Sequence, residues 1–342
     1  MNDVDLCAHL IRSGLPIQKL SALRRLPVFF NDLPAQVPDP AAVPITVPYG
    51  KGLATADFLA EGPLTDMLPL HTAYTDEELH SNSILTKQEV VKREADRQKL
   101  LQLVLNLLPR ESSAFREGAA RSLRQILISF QLDDTTVDKI LQVARKCVHV
   151  VEAGADSRDL WLSIIEQCVP YATLKLLETE LLPEVMVNGG HAQPSKLRQA
   201  SCRLIGPLAG RLCEHPLAQK LHEKAIALCQ DTDHEVRLLM CAQLYRIVRV
   251  LPAQNALLYD ILEEYVELLS DDAPTVREAA VNNYINMMPA LPVAERQKYC
   301  VVGVRKMGVE RHPTIARIIL HRFGEIFYYL HGQLYMSFGI LF

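Results

Sequence analysis

Hydrophobic and polar positions alternate along this chain in a single recurring frame. Counted from Val236, residues three, four, eight, eleven and twelve places on are Leu239, Met240, Leu244, Ile247 and Val248. That spacing lines one face of an α-helix. From Leu197 the same places hold Ala200, Ser201, Ile205, Leu208 and Ala209, and from Ser157 they hold Leu160, Trp161, Ile165, Cys168 and Val169. Phe115 leads to Gly118, Ala119, Leu123, Ile126 and Leu127, and Ile315 leads to Ile318, Ile319, Phe323, Ile326 and Phe327. Gln18 fits too, with Ser21, Ala22, Leu26, Phe29 and Phe30. One amphipathic helix would carry little information. Six in phase predict a repeat.

Each frame starts just before a basic residue. The series runs Lys19, Arg116, Arg158, Arg198, Arg237 and Arg277, with Ala316 in the last place beside Arg317. From Arg116 to Ala316 the steps are 42, 40, 39, 40 and 39 residues. Ahead of two arginines lies an acidic turn, Gln230-Asp231-Thr232-Asp233 and Ser270-Asp271-Asp272-Ala273, whose side chains suit the free N–H groups of a first helical turn. A period near 40 predicts stacked two-helix units, each too small to bury its apolar face alone. The expected fold is all-α, an α-solenoid (superhelix) of antiparallel helical hairpins.

The frame also divides the chain. Residues 1–30 read as a first hairpin. Residues 31–85 carry Pro34, Pro38, Pro40, Pro44, Pro48, Pro63 and Pro69, which disfavour long helices, and read as a Pro-rich insert with one degenerate repeat around Thr55–His80. Residues 86–327 read as about six regular repeats, opening on a capping box at Thr86 and Glu89. Their outer helices are predicted near 134–150, 171–186, 216–229, 255–269 and 293–307. Residues 328–342 are apolar but interrupted by His331, Gln333, Gly332 and Gly339. They read as the start of a further outer helix in a longer solenoid, with a membrane anchor as the lesser alternative.

Composition narrows the function. The chain has 342 residues, 49% hydrophobic, with formal net charge −4, so it presents no overall basic footprint for nucleic acid. Eight cysteines form no C-x-x-C pair and fall mostly within predicted helices, as reduced thiols of the cytoplasm or nucleus do. Asp3 and Asp5 precede a short apolar run, unlike a secretory signal.

Motifs for chemistry are missing. Gly50-Lys51-Gly52 lacks the preceding glycine and following Ser/Thr of a phosphate-binding loop, and no metalloprotease, hydrolase or kinase set occurs. Cys213-Glu214-His215 and Cys7-Ala8-His9 offer two metal ligands each, too few for a site. Asp271-Asp272 is better explained as a turn cap and as a partner for the arginines than as a catalytic pair. Trp161, the single tryptophan, falls at a packing position. The chain reads as a non-enzyme without cofactor or metal.

Function is therefore expected on the turns inside the repeats, 111–114, 152–157, 188–195, 230–235, 270–275 and 308–313, which would line one continuous ridge. Asp231, Asp233, His234, Glu235, Asp271, Asp272 and Thr275 are the expected partner-binding residues. Arg116, Arg158, Arg198, Arg237 and Arg277 are expected to form a structural ladder, each bonding the turn carboxylate of a neighbouring repeat.

Asp231 followed by Val236-Arg237, and Asp271 followed by Val276-Arg277, resemble the signature of HEAT repeats, with weaker copies at Leu197-Arg198 and Phe115-Arg116. The regular spacing is most similar to the scaffold (A) subunit of protein phosphatase 2A and to phosphatase 4 regulatory subunits. Leu20-Ser21-Ala22-Leu23-Arg24-Arg25-Leu26 also resembles the opening repeat of that scaffold. Ser157, Ala316 and the Pro-rich insert depart from the pattern. The resemblance implies a non-catalytic scaffold or regulatory subunit. In that family regulatory subunits dock on amino-terminal repeats and the catalytic subunit on carboxy-terminal ones, so protein subunits are the implied partners, with no nucleic acid or membrane. A HEAT-repeat adaptor of another class, in nuclear transport or on chromatin, is the alternative.

Overall fold

The computed structural model describes residues 3–31, 87–130, 132–149, 155–251, 256–291, 296 and 300–330. Every regular element among the described residues is helical. Helices pair in chain order. The first pair is α1 (Asp3–Ser13) and α2 (Pro16–Arg25), the second α3 (Lys87–Leu107) and α4 (Ser113–Ser129), the third α5 (Asp134–Val148) and α6 (Ala155–Cys168). In the fourth, α7 runs from Leu174–Leu176 through a wide turn at Leu177–Leu181 into Leu182–Asn188, and pairs with α8 (Ser195–Arg211). Then come α9 (Ala218–Cys229) with α10 (His234–Val250), α11 (Ala256–Leu268) with α12 (Pro274–Met287), and α13 (Val301–Gly308) with α14 (Pro313–His321). A last helix, α15 (Phe323–Leu330), follows.

Two layers result. The second helices α2, α4, α6, α8, α10, α12 and α14 pack each on the next, and the first helices form the outer layer beside them. This is an α-solenoid.

Local chemistry sets the helix starts. The Ser112 Oγ accepts from the Phe115 N–H at 3.4 Å, and carboxylates of Asp133 and Asp233 accept from Thr136 and Glu235 at 3.0 and 2.9 Å. Pro16, Pro274 and Pro313 occupy first turns, where a missing N–H costs least. The wide turn in α7 lies just ahead of Pro183, whose ring and absent N–H displace a backbone bond of the preceding turn. The expected cap at Thr86 lies outside the described residues.

The apolar frame matches the core. Met240, Leu244, Ile247 and Val248 are buried, as are Trp161, Ile165 and Cys168 on α6 and Val169 just after it. The leading positions Leu239, Ala200 and Leu160 are only half-buried and pack at the edge of the core. Burying one such large side chain is worth about 1.5–3 kcal/mol, and no hairpin covers its own face. The frame fails in its last copy. Phe323 and Phe327, expected in the core, are 54% and 41% exposed. The helix breaks at Arg322, which reaches back to the Asn282 carbonyl at 3.1 Å and the Asn286 Oδ1 at 2.7 Å, and the register is lost there.

The first hairpin stacks directly on the second. The Ser122 Oγ donates to the Leu23 carbonyl at 2.7 Å, Lys19 pairs with Glu111, and Leu20 lies on Gly118. The degenerate repeat expected around Thr55–His80 lies outside the described residues, as does the tail beyond 330. No helix among the described residues is long and apolar enough to cross a membrane.

Candidate protein-binding ridge and the ladder beneath it

The turns inside the repeats are tied together by arginines. Arg198 sends Nε and Nη2 to the two carboxylate oxygens of Asp231 at 2.7 and 2.8 Å, and Nη1 to the Gln193 carbonyl at 2.6 Å. One unit on, Arg237 binds Asp271 at 2.7 and 2.8 Å and the Asp231 carbonyl at 2.7 Å. Arg277 binds Glu310 at 2.7 and 3.3 Å and the Asp271 carbonyl at 2.8 Å. Each guanidinium thus holds its own turn by a carbonyl and the next turn by a carboxylate.

Each aspartate is used three ways. The Asp231 carboxylate takes Arg198, its Oδ1 also accepts the Asp233 N–H at 2.8 Å, and its carbonyl takes Arg237. Asp271 repeats this with Arg237, the Ala273 N–H at 2.9 Å and Arg277. Fork-to-fork guanidinium–carboxylate pairs are the strong, geometrically specific kind. Burial pushes both carboxyls up, yet the arginine bonds, the turn N–H groups and nearby positive charge hold them below the ordinary carboxylate range. Glu310 is held down by its bond to Arg277 in the same way.

The ladder is not continuous. Lys19 makes a rung with Glu111, whose carbonyl accepts Arg116 Nη1 at 3.0 Å. Arg158 is exposed and joins no ion pair among the described residues, because the following turn, Asn188 to Gln193, contains no carboxylate. That seam is closed differently. Arg203 binds Glu166 and Asp159 at 2.6 and 3.0 Å, and Arg145 binds Glu184 at 2.7 Å and also Glu180.

This geometry corrects the expected ridge. Asp231 is 2% exposed and the Asp271 carboxylate is nearly as covered, so neither faces a partner. The same acid type serves a turn cap, a ladder acceptor and an outer contact, and the arginines claim both residues. Asp233 is half-buried, taking Ser195 Oγ and the Glu235 N–H. His234, Glu235, Asp272 and Thr275 are exposed and remain as the outward ridge. The first half of turn 152–157 lies outside the described residues. Glu310 joins the ladder without an Asp-type turn motif, and its distance from Arg277 repeats that of Asp231 from Arg198.

Other expected groups are engaged elsewhere. His215 contacts Glu178 at 2.8 Å and accepts the Leu217 N–H, while His9 meets Ser13 Oγ at 3.3 Å. No group of three or more potential ligands gathers for a metal among the described residues.

Comparison with known proteins adds the family context. Residues 212–286 match the family model described as "Vacuolar 14 Fab1-binding region". The chain is 26% identical over 164 residues to the mouse (Mus musculus) serine/threonine-protein phosphatase 4 regulatory subunit 4, covering 48% of this chain and 18% of that protein. The human (Homo sapiens) protein of the same name is 24% identical over 151 residues, covering 44% of this chain and 17% of its own length. The matched stretch is therefore under a fifth of either relative. Two engineered proteins of known structure align with TM-scores of 0.42 and 0.38, at 14% and 16% identity, covering 84% and 90% of this chain and 99% and 73% of theirs. The chain is an α-solenoid of helical hairpins, similar over almost half its length to regulatory subunits of protein phosphatase 4.

Proposed function

We propose that this chain is a non-catalytic scaffold or regulatory subunit of a serine/threonine protein phosphatase of the 4 or 2A class. It holds partner subunits along the exposed turns of its repeats. The observation that carries the reading is the similarity to two phosphatase 4 regulatory subunits over almost half of this chain. The ladder supports it physically. Ion-paired turns keep His234, Glu235, Asp272 and Thr275 in fixed relative positions, so a partner ordering on them loses little conformational freedom of the scaffold. The test is capture of purified phosphatase 4 and 2A catalytic subunits by the purified chain. Binding that is lost in Glu235→Arg with Asp272→Arg supports the reading, since neither side chain belongs to the ladder. Absence of binding to both catalytic subunits and to their regulatory subunits overturns it.

The match of residues 212–286 favours a second reading. That family is described by binding Fab1, and the matched stretch contains the rungs Arg237 and Asp271. An adaptor for a partner other than a phosphatase would use the same ridge, and failure of phosphatase capture with retention of such a partner would decide for it.

A further inference from the structure

On the inner layer, three successive helices end around one groove. Glu166, Gln167 and Pro170 line it from α6 and the turn after it, Gly206, Pro207, Gly210 and Arg211 from α8, and Arg246, Arg249 and Val250 from α10. Its volume is about 640 Å³, enough for a few residues of extended peptide. The glycines matter: at Gly206 a Cβ would stand 2.4 Å from the Gln243 Oε1, so α8 and α10 approach closely and open the groove above them.

We propose that this groove binds a short acidic segment of a partner protein in extended form. None of Arg211, Arg246 and Arg249 pairs with a carboxylate among the described residues. Arg211 bonds the Ala172 carbonyl at 3.3 Å, Arg246 reaches the Gln243 amide at 3.5 Å, and Arg249 lies over the Tyr245 ring at 5.6 Å. The one acid in the wall, Glu166, is taken by Arg203 at 2.6 Å. Among the described residues, three guanidinium groups therefore face a groove without a counter-charge, and their planar forks fit carboxylates. Arg211 and Arg249 sit near helix ends, where a cation offsets the negative end of the dipole. That does not account for Arg246, a turn earlier, nor for the groove.

The wall is not charged throughout, which favours a peptide over a bare phosphate. Pro170, Pro207 and Val250 provide apolar wall for an intervening side chain. A long polyanion is disfavoured by the net charge of −4 and by the lining itself, whose described residues include no aromatic ring for bases to stack on.

This inference is independent of the phosphatase reading, and its test uses no phosphatase. A fluorescein-labelled eight-residue peptide alternating glutamate and leucine is titrated into the purified chain by fluorescence anisotropy, beside a peptide with lysine in place of glutamate. The acidic peptide is expected to bind in a salt-sensitive way and the lysine peptide not at all. Arg246→Ala with Arg249→Ala, both exposed, is expected to weaken binding about tenfold or more, while Arg12→Ala on α1 leaves it unchanged. Circular dichroism and thermal melting confirm that the variants are folded. Failure of the acidic peptide to bind, equal binding by the double variant, or tighter binding of inositol hexakisphosphate or single-stranded RNA than of the peptide would overturn the proposal.

Discussion

Arg198 and Asp231 are 33 residues apart in sequence yet joined by two parallel bonds of 2.7 and 2.8 Å, with the carboxylate fully covered. A buried pair of this kind contributes modestly as a pair, but removing one partner strands the other charge away from water. Asp231→Ala is therefore expected to cost about 3–5 kcal/mol in urea unfolding. Asp272→Ala, on the exposed side of the next turn, is expected to stay within about 0.5 kcal/mol. Replacing both partners, Arg198→Met with Asp231→Leu, is expected to cost less than Asp231→Ala alone. Equal losses for Asp231→Ala and Asp272→Ala would mean that the ladder carries no stability.

The same contacts set the response to acid. Asp231, Asp271 and Glu310 are held below their ordinary range in the folded chain. A carboxyl with a lowered folded pKa stabilises fully above its unfolded value, about 3.9 to 4.3, and loses that contribution as pH falls through the folded value. Melting temperature is thus expected to drop steeply below about pH 4. In Asp271→Asn that drop becomes shallower, because one linked proton is removed. A melting curve no steeper below pH 4 than above it would contradict the linkage.

Much of this is legible in the sequence. The apolar frame located the inner helices, and the spacing of Arg198, Arg237 and Arg277 located the turns, because both follow from the helical period and the repeat length. What the sequence concealed was direction. Asp231 and Asp272 are both acids in equivalent turns, yet one faces an arginine from the preceding unit and the other faces solvent. That difference depends on how far one hairpin is displaced along the next, which no single repeat encodes. The arginine groove was hidden for the same reason, since Gln167, Arg211 and Arg246 come from three units and share no motif. Phe323 and Phe327 kept the frame in sequence and left it in space, where the helix breaks at Arg322.

His222 adds a second, higher step to the acid profile. It lies on the outer helix α9, 1% exposed, and neither ring nitrogen has a hydrogen-bond partner among the described residues. Burial lowers its pKa, so the folded chain keeps it neutral while the unfolded chain protonates near pH 6.5. Stability from this residue is complete above about pH 6.5 and declines below it, well before the carboxylates respond. His222→Leu, close in volume, is expected to abolish the loss that begins below about pH 6.5 while leaving the lower step. Persistence of the upper step in that variant would assign it elsewhere.

Close approach between helices makes two glycines sensitive. At Gly303 a Cβ would lie 2.4 Å from the Tyr284 ring, itself fully buried between α12 and α13. The ring has no room to withdraw, so Gly303→Ala is expected to destabilise by about 1–3 kcal/mol, as overpacking does. Gly206→Ala meets Arg246 Cβ at 3.0 Å and breaks the Gly206–Gln243 contact, with a similar loss. At Gly308 nothing lies within 4 Å, and alanine there is expected to be neutral or stabilising by up to about 1 kcal/mol. A urea series on the three single variants gives the ranking. If Gly308→Ala were the most damaging, the helix spacing described here would be wrong.

Thiol reactivity tests the packing of the whole stack at once. All eight cysteines are free, and only Cys213 is partly exposed. Burial pushes the others up: Cys7 and Cys147 to about 11, and Cys168, Cys241 and Cys300 to about 12. Cys202 and Cys229 are raised by the same cause. A thiol reacts as its thiolate and only when reached, so both access and ionisation protect these seven. A disulfide reagent such as Ellman's at neutral pH is expected to modify one thiol rapidly in the native chain and eight after unfolding in urea. Cys213→Ser should remove the fast phase. Two or more fast thiols in that variant would show that neighbouring hairpins separate readily, and that the continuous core drawn from Cys7 to Cys300 is not maintained in solution.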